Sequence, residues 1–254
     1  MALLEIKHIY KNFGGVKAIV DFSLDANPGE IHGIIGPNGA GKTTIFNTIS
    51  GVYTADQGTV ILDGQDITKL PQYEITKLGL GRTFQNIRLF KGLNVLENIL
   101  CAFDPQSKYN LAGGLLPTPR RFSEEKRGRD LAHKYLQEVG MDAYAEEKPE
   151  NLSYGSQRKI EIARALMCNP KVLLLDEPAA GLTPTEVKEL TALIRRISQD
   201  FGFAILLIEH RLDLVMSISD LIHVQNFGET IAVGTANEVQ NNPLVIEAYL
   251  GKEE

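Results

Sequence analysis

The run Gly36-Pro37-Asn38-Gly39-Ala40-Gly41-Lys42-Thr43-Thr44 constrains the fold of this chain more than any other segment. It follows a short apolar stretch, Ile31–Ile35, and opens a stretch with helical character, Ile45–Ser50. The order is therefore strand, glycine-rich loop, helix, with the G-x-x-x-x-G-K-[ST] spacing at the turn. Glycines accept positive φ and let backbone N–H groups close on phosphate oxygens. The helix N-terminus adds partial positive charge at the same place. Lys42 is then placed to reach the β- and γ-phosphates, and the Thr43 hydroxyl to ligate Mg²⁺. The segment predicts a nucleoside triphosphate site contacted by Gly36, Asn38, Gly39, Gly41, Lys42, Thr43 and Thr44.

Around this loop, short apolar runs alternate with longer helical patterns, which predicts an α/β protein with a mostly parallel core sheet. Strands are expected at Leu4–Tyr10, Ala18–Leu24, Ile31–Ile35, Thr59–Leu62, Val172–Asp176, Ala204–Ile208, Leu221–Gln225 and Glu229–Val233. Asp63-Gly64 after the fourth of these is a hairpin-type turn signal. Helices are expected at Thr43–Ser50, Tyr73–Leu78, Val95–Ala102, Glu124–Val139, Ser156–Met167, Pro184–Gln199, Arg211–Ser217 and Leu244–Leu250. Between about Gln85 and Leu166 strand signals vanish, so a helical subdomain (about 85–166) is expected inside an α/β core made from about 1–84 and 167–254. Within it, Asp104–Ser123 carries three prolines and Gly113-Gly114 and reads as a long loop. The basic cluster that follows, Arg120, Arg121, Lys126, Arg127 and Arg129, reads as a solvated helix face.

The chain has 254 residues and a net charge of −6 with no long basic block, which disfavours nucleic acid as the main ligand. Cys101 and Cys168 each sit in an apolar stretch without C-x-x-C spacing and are expected to be buried free thiols in a reducing compartment. The N-terminus reads as a strand rather than a signal peptide. No apolar run approaches the roughly 20 residues that cross a bilayer, so a cytoplasmic chain that meets the membrane through a partner is expected.

A second apolar run, Val172–Leu175, ends in Asp176 and Glu177. Beside a phosphate loop, Asp176 is placed to hold Mg²⁺ through its water shell. Glu177 is placed to polarise an attacking water as general base. Further upstream, Ser153 is a natural N-cap for the helix that precedes this strand.

Taken together these segments resemble the nucleotide-binding subunits of ATP-binding cassette (ABC) transporters over essentially the whole chain. Gly36–Thr44 is similar to that family's Walker A loop, Gln85 to its Q-loop glutamine and Leu152–Ser156 to its signature motif. Val172–Glu177 is similar to Walker B, Ala180–Thr183 to the D-loop and His210 to the switch histidine. Phe13 stands where the family places an aromatic that stacks on adenine. The resemblance implies ATP and Mg²⁺ as ligands, Thr43, Gln85 and Asp176 around the metal, Glu177 activating water, and His210 at the γ-phosphate. It implies that Ser153 and Gly155 bind the γ-phosphate held by an opposed subunit. The working unit would be a head-to-tail dimer with itself or a paralogue, docked on integral-membrane permease subunits at the cytoplasmic face of the cell membrane. The sequence departs from the family pattern at the signature, which reads LSYGS, and at Thr183, where an aspartate is usual.

The Asp104–Ser123 segment, Tyr154, Ala179–Leu182 and the ending Val245–Gly251 resemble the larger ATPase type of branched-chain amino acid importers. Urea and short-amide importers share these traits, as does, less closely, the lipopolysaccharide-export ATPase. A non-transport ABC ATPase is disfavoured because long coiled-coil insertions, iron–sulfur cysteines and a second cassette are absent from the sequence. The permease is expected to dock along Asn86–Leu100, whose apolar members Ile87, Leu89, Phe90 and Leu93 are too many for a solvated loop.

Overall fold

Strand propensity in this chain is concentrated in runs such as Ile31–Ile35, Val172–Asp176 and Ala204–Ile208, in which every residue is buried. Runs without a polar alternate must be covered on both faces, which is the condition of a parallel sheet between helices. The computed structural model describes residues 2–103 and 119–250. Its contacts divide the chain into two compact units, Met1–Gln85 with Lys171–Glu254, and Asn86–Pro170.

The first unit carries β1 (Leu4–Phe13), β2 (Val16–Ala26), β3 (Ile31–Ile35), α1 (Lys42–Ile49), β4 (Gln57–Leu62), β5 (Gln65–Asp66), α2 (Gln72–Lys77) and β6 (Leu80–Arg82). A ten-stranded sheet joins these with β7 (Val172–Asp176), β8 (Ala204–Ile208), β9 (Leu221–Asn226) and β10 (Glu229–Gly234) in the order β5-β4-β1-β2-β10-β9-β3-β8-β7-β6. The N-terminal strands pair antiparallel, whereas β3, β6, β7, β8 and β9 pair parallel. The chain returns to this unit through β7 (Val172–Asp176), after the second unit's α3 (Val95–Leu100), α4 (Pro119–Glu138) and α5 (Tyr154–Leu166). It then completes α6 (Pro184–Phe201), β8 (Ala204–Ile208), α7 (Leu212–Ile218), β9 (Leu221–Asn226), β10 (Glu229–Gly234), α8 (Ala236–Gln240) and α9 (Pro243–Leu250). One apolar core, including Leu4, Phe22, Ile34, Phe46, Leu174 and Leu206, runs beneath both the antiparallel and the parallel strands. Each such side chain contributes about 1.5–3 kcal/mol when fully buried.

Parallel pairing places the carboxyl ends of β3, β7 and β8 side by side, with Ile34 opposite Ile208 and Asp176 opposite Ile208. The loops that follow these strands carry the phosphate loop, Glu177 and His210. A ligand site at the carboxyl ends of the strands follows from the topology.

Three sequence expectations are corrected. The Asp104–Ser123 loop stops short of Ser123: Pro119–Glu138 is one 20-residue helix, with proline in the first turn, where a missing N–H costs nothing. The remainder of that segment, residues 104–118, lies outside the described residues. Cys101 is exposed rather than buried, and Cys168 is half-buried. Cys101 caps the C-terminus of α3, just past the helical stripe of Val95, Leu96 and Ile99 that faces inward. Finally, β5, β6 and α8 have no counterpart among the expected elements. β6 holds only three residues, one of them glycine, and no period is readable over that length.

Candidate nucleotide site

The phosphate loop is moulded by backbone approaches that only glycine allows. A Cβ on Gly36 (φ 149°) would sit 2.1 Å from the Gln225 carbonyl oxygen, and one on Gly41 (φ 99°) 2.2 Å from that of Ala18. Gly39 (φ 81°) differs, because nothing lies within 4 Å of its Cβ position. The loop is thus pinned to β2 and β9 at its two ends and open in the middle.

That opening is a cavity of about 530 Å³ lined by Asn38, Gly39, Gly41, Lys42, Thr43 and Thr44 with Ala40, and by Glu177, His210, Val16, Lys17, Ala18 and Phe227. The N-terminus of α1 projects into it with no side-chain cap and no acidic residue in its first turn. Its unpaired N–H groups and partial positive charge are therefore free for an anion. Lys42 is buried, its ammonium donating to the carbonyls of Gly36 (2.7 Å) and Pro37 (2.9 Å). Burial lowers its pKa, and the Glu177 carboxylate partly opposes that. A cation, a ring of backbone donors and open space above Gly39 fit a polyphosphate.

At the far side, Glu177 adopts φ 47°, a strained conformation for a residue with a side chain. Its N–H donates to the Ile208 carbonyl at 2.9 Å, tying it to β8. One carboxylate oxygen accepts from the Gln85 amide at 2.8 Å and the other pairs with His210 Nε2 at 3.0 Å. Gln85 and His210, from two separate loops, are thereby held around the carboxylate of a third.

Asp176, expected to hold Mg²⁺ through its water shell, is held by a buried cation. It pairs with Arg82 at 3.0 Å, both side chains being more than nine-tenths buried, and it does not line the cavity. Arg82 also donates to Asn47 on α1 and to Ser50, its C-cap, so this pair braces the helix behind the phosphate loop. Phe13 also stands outside the cavity lining. It is 43% exposed, edge-on to Tyr53 at 5.0 Å. Val16, Lys17, Ala18 and Phe227 line the cavity instead.

Sequence reasoning missed Glu209 altogether. Its buried carboxylate accepts from the N–H groups of Ala179 (2.6 Å), His210 (3.1 Å) and Arg211 (3.4 Å), locking the loop after Glu177 to the loop that carries His210. Burial pushes its pKa up. A charged residue ending an unbroken apolar strand was the available signal. Thr183 caps α6 in a reciprocal capping box with Glu186, so its hydroxyl serves the helix start.

In the second unit, Ser153 caps α5, accepting from the Ser156 N–H at 3.2 Å. Ser153 is exposed and Gly155 buried at the helix N-terminus. Tyr154 is 41% exposed and lies over the buried Arg158 guanidinium. Phe90 is 55% exposed, while Ile87, Leu89 and Leu93 are half-buried. Fully buried Asn98 shapes the Phe90 loop, accepting from the Phe90 N–H (2.7 Å) and donating to the carbonyls of Phe90 and Leu93.

Comparison with known proteins places this geometry. A family model described as ABC transporter matches residues 19–180, and one described as branched-chain amino acid ATP-binding cassette transporter matches residues 229–254. The chain is 45% identical over 250 residues to the high-affinity branched-chain amino acid transport ATP-binding protein LivG of Escherichia coli (strain K12), covering 98% of each. It is 43% identical to BraF of Pseudomonas aeruginosa, again covering 98% of each. Among solved structures, the ADP conformation of MJ1267, an ATP-binding cassette of an ABC transporter, superposes with a TM-score of 0.86 at 34% identity, covering 99% of this chain and 100% of that one.

Proposed function

The chain belongs to the ABC transporter family as an ATP-binding subunit that couples ATP hydrolysis to transport, and from that premise we propose that it powers import of the branched-chain amino acids leucine, isoleucine and valine. The cargo reading is supported by the LivG and BraF relatives across the full chain and by the C-terminal match at residues 229–254.

The observation that carries the hydrolytic reading is the Glu177 carboxylate, clasped by Gln85 and His210 on the rim of a cavity floored by the phosphate loop. In this reading the triphosphate lies over Gly39, with Lys42 and the α1 N–H groups meeting its charge. Glu177 accepts the proton of the attacking water, and His210, hydrogen-bonded to that carboxylate, orients it and meets the γ-phosphate. Mg²⁺, held by Thr43 and Gln85 with Asp176 behind them, would neutralise charge developing on the phosphate oxygens. Phe13 would stack on the adenine.

As an ATP-binding subunit of a transporter, the chain is expected to work with a second ATPase subunit and with membrane permease subunits. We infer a head-to-tail arrangement with a like chain or a paralogue. Exposed Ser153 at the N-terminus of α5 supports it, as a donor group suited to a phosphate presented by another subunit. No described helix is long and apolar enough to cross a membrane, so the chain is proposed to sit peripherally at the cytoplasmic face, attached through the permease.

The test is transport in the native host. Deleting the gene should abolish uptake of radiolabelled leucine, and the wild-type chain but not Glu177→Gln should restore it. Unimpaired leucine uptake alongside loss of urea or amide uptake would overturn the cargo assignment.

A further inference from the structure

The β9–β10 hairpin turn carries a residue that the fold does not explain. Asn226 and Glu229 close a two-residue turn whose central residues, Phe227 and Gly228, have φ of 46° and 85°. A turn with two positive φ values favours asparagine or aspartate followed by glycine. Another such turn, closed by Leu62 and Gln65, follows the rule, with Asp63 at 48° and Gly64 at 80°. At Phe227 a bulky ring sits in the left-handed region, where a side chain is disfavoured. The ring is also 85% exposed. Neither choice stabilises the free fold, and strain of this kind is a pointer to function.

The turn is built onto the phosphate loop. The Gly228 N–H donates to the Ala40 carbonyl at 3.1 Å, and the Gly228 carbonyl accepts from the Val20 N–H at 2.8 Å. A Cβ on Gly228 would meet the Lys17 carbonyl at 2.7 Å, so the turn cannot shift away without breaking that packing. Phe227 lines the cavity with Val16 and Ala18. β2, which carries Val16 and Ala18, and β9, which leads to Phe227, lie on one side of β3 in the sheet, whereas β7 and β8, which lead to Glu177 and His210, lie on the other. Phosphates over Gly39 and a reacting γ-phosphate near Glu177 leave the Val16–Phe227 side for the nucleoside.

The geometry points to Phe227 as a nucleotide-binding residue whose ring supplies a second apolar wall for the purine base, in addition to the ring expected at Phe13. This rests on the nucleotide reading given above. Burying an exposed ring against a base recovers apolar area and stacking that the free protein forgoes.

The test compares ADP with inorganic tripolyphosphate, which has no base, by calorimetric titration of the full chain. Phe227→Asn suits the turn while removing the ring, and Phe227→Trp restores a ring. The inference expects Phe227→Asn to weaken ADP binding about tenfold, to leave tripolyphosphate binding within twofold, and to keep or raise the melting temperature. Phe227→Trp should bind ADP like the wild type. Unchanged ADP affinity overturns the inference, and so does an equal loss for both ligands, which would place the effect in the loop. If ADP affinity holds but ATP-dependent dimerisation is lost, the ring meets a partner chain and the inference is wrong. Failure of the wild type to bind ADP would instead refute the nucleotide reading itself.

Discussion

Replacing either of two glycines in the phosphate loop by alanine should give opposite phenotypes, because the structure uses them for opposite purposes. At Gly36 a Cβ would stand 2.1 Å from the Gln225 carbonyl oxygen, more than an ångström short of ordinary contact, and the obstruction is backbone. Relief requires parting β3 from β9, which pair through Ile35 and Val224 one residue away. Overpacking of this kind costs about 1–3 kcal/mol, and the positive φ adds about 1–2 kcal/mol. A total of about 2–5 kcal/mol should lower the melting temperature of a chain this size by roughly 4–20 °C. At Gly39 the backbone is also left-handed, but the Cβ meets nothing within 4 Å. Gly39→Ala should therefore cost only about 1–2 kcal/mol of stability, while its methyl enters the space assigned to phosphate. Scanning calorimetry and ADP titration on both variants separate the cases. The reasoning is refuted if Gly36→Ala melts with the wild type, or if Gly39→Ala binds ADP with wild-type affinity.

Other consequences follow from groups further from the loop. His223 is buried beside His32, and its pKa is lowered to about 3 by burial first and then by that neighbouring imidazole. The unfolded chain protonates this group below about 6.5 and the folded chain does not until about 3, so stability should fall on acidification between those values, by up to about 1.4 kcal/mol per pH unit. His223→Leu should flatten denaturant-midpoint profiles between pH 6 and 4; an unaltered slope would assign acid sensitivity elsewhere. Phe90→Asp, on an exposed aromatic held out by the Asn98 network, should leave ADP affinity within twofold while abolishing co-purification with the permease. Normal assembly of that variant would place the docking surface elsewhere.

The phosphate loop, the parallel core and the loops bearing Glu177 and His210 were legible because each is a local pattern: glycine spacing, or an apolar run ending in charge. Gln85, Glu177 and His210 converge only through the pairing of β7 with β8 and β6 with β7, and β6 is too short to announce itself. Arg82 and Glu209 were invisible for a related reason. Each acts through partners far away in sequence, Arg82 on Asn47 and Asp176, Glu209 on Ala179, and a lone charge next to an apolar run reads as solvated until those partners are known. Phe227 could have been suspected, since Asn-Phe-Gly between two strand patterns puts an aromatic where a turn favours a small polar residue. Cys101 shows the converse limit, because apolar neighbours in sequence did not decide which side of a short helix it faces.

The central claim, that Glu177 is the general base of an ATP-hydrolysing site, is tested most directly by Glu177→Gln. The amide retains the shape of the clasp between Gln85 and His210 but cannot accept a proton from water. General-base catalysis contributes about 10²–10⁴-fold, so ATP turnover should drop at least about 100-fold. ATP affinity should stay near that of the wild type, and an ATP-dependent dimer should accumulate on size exclusion that ADP does not support. Turnover near the wild-type rate in this variant would contradict the account.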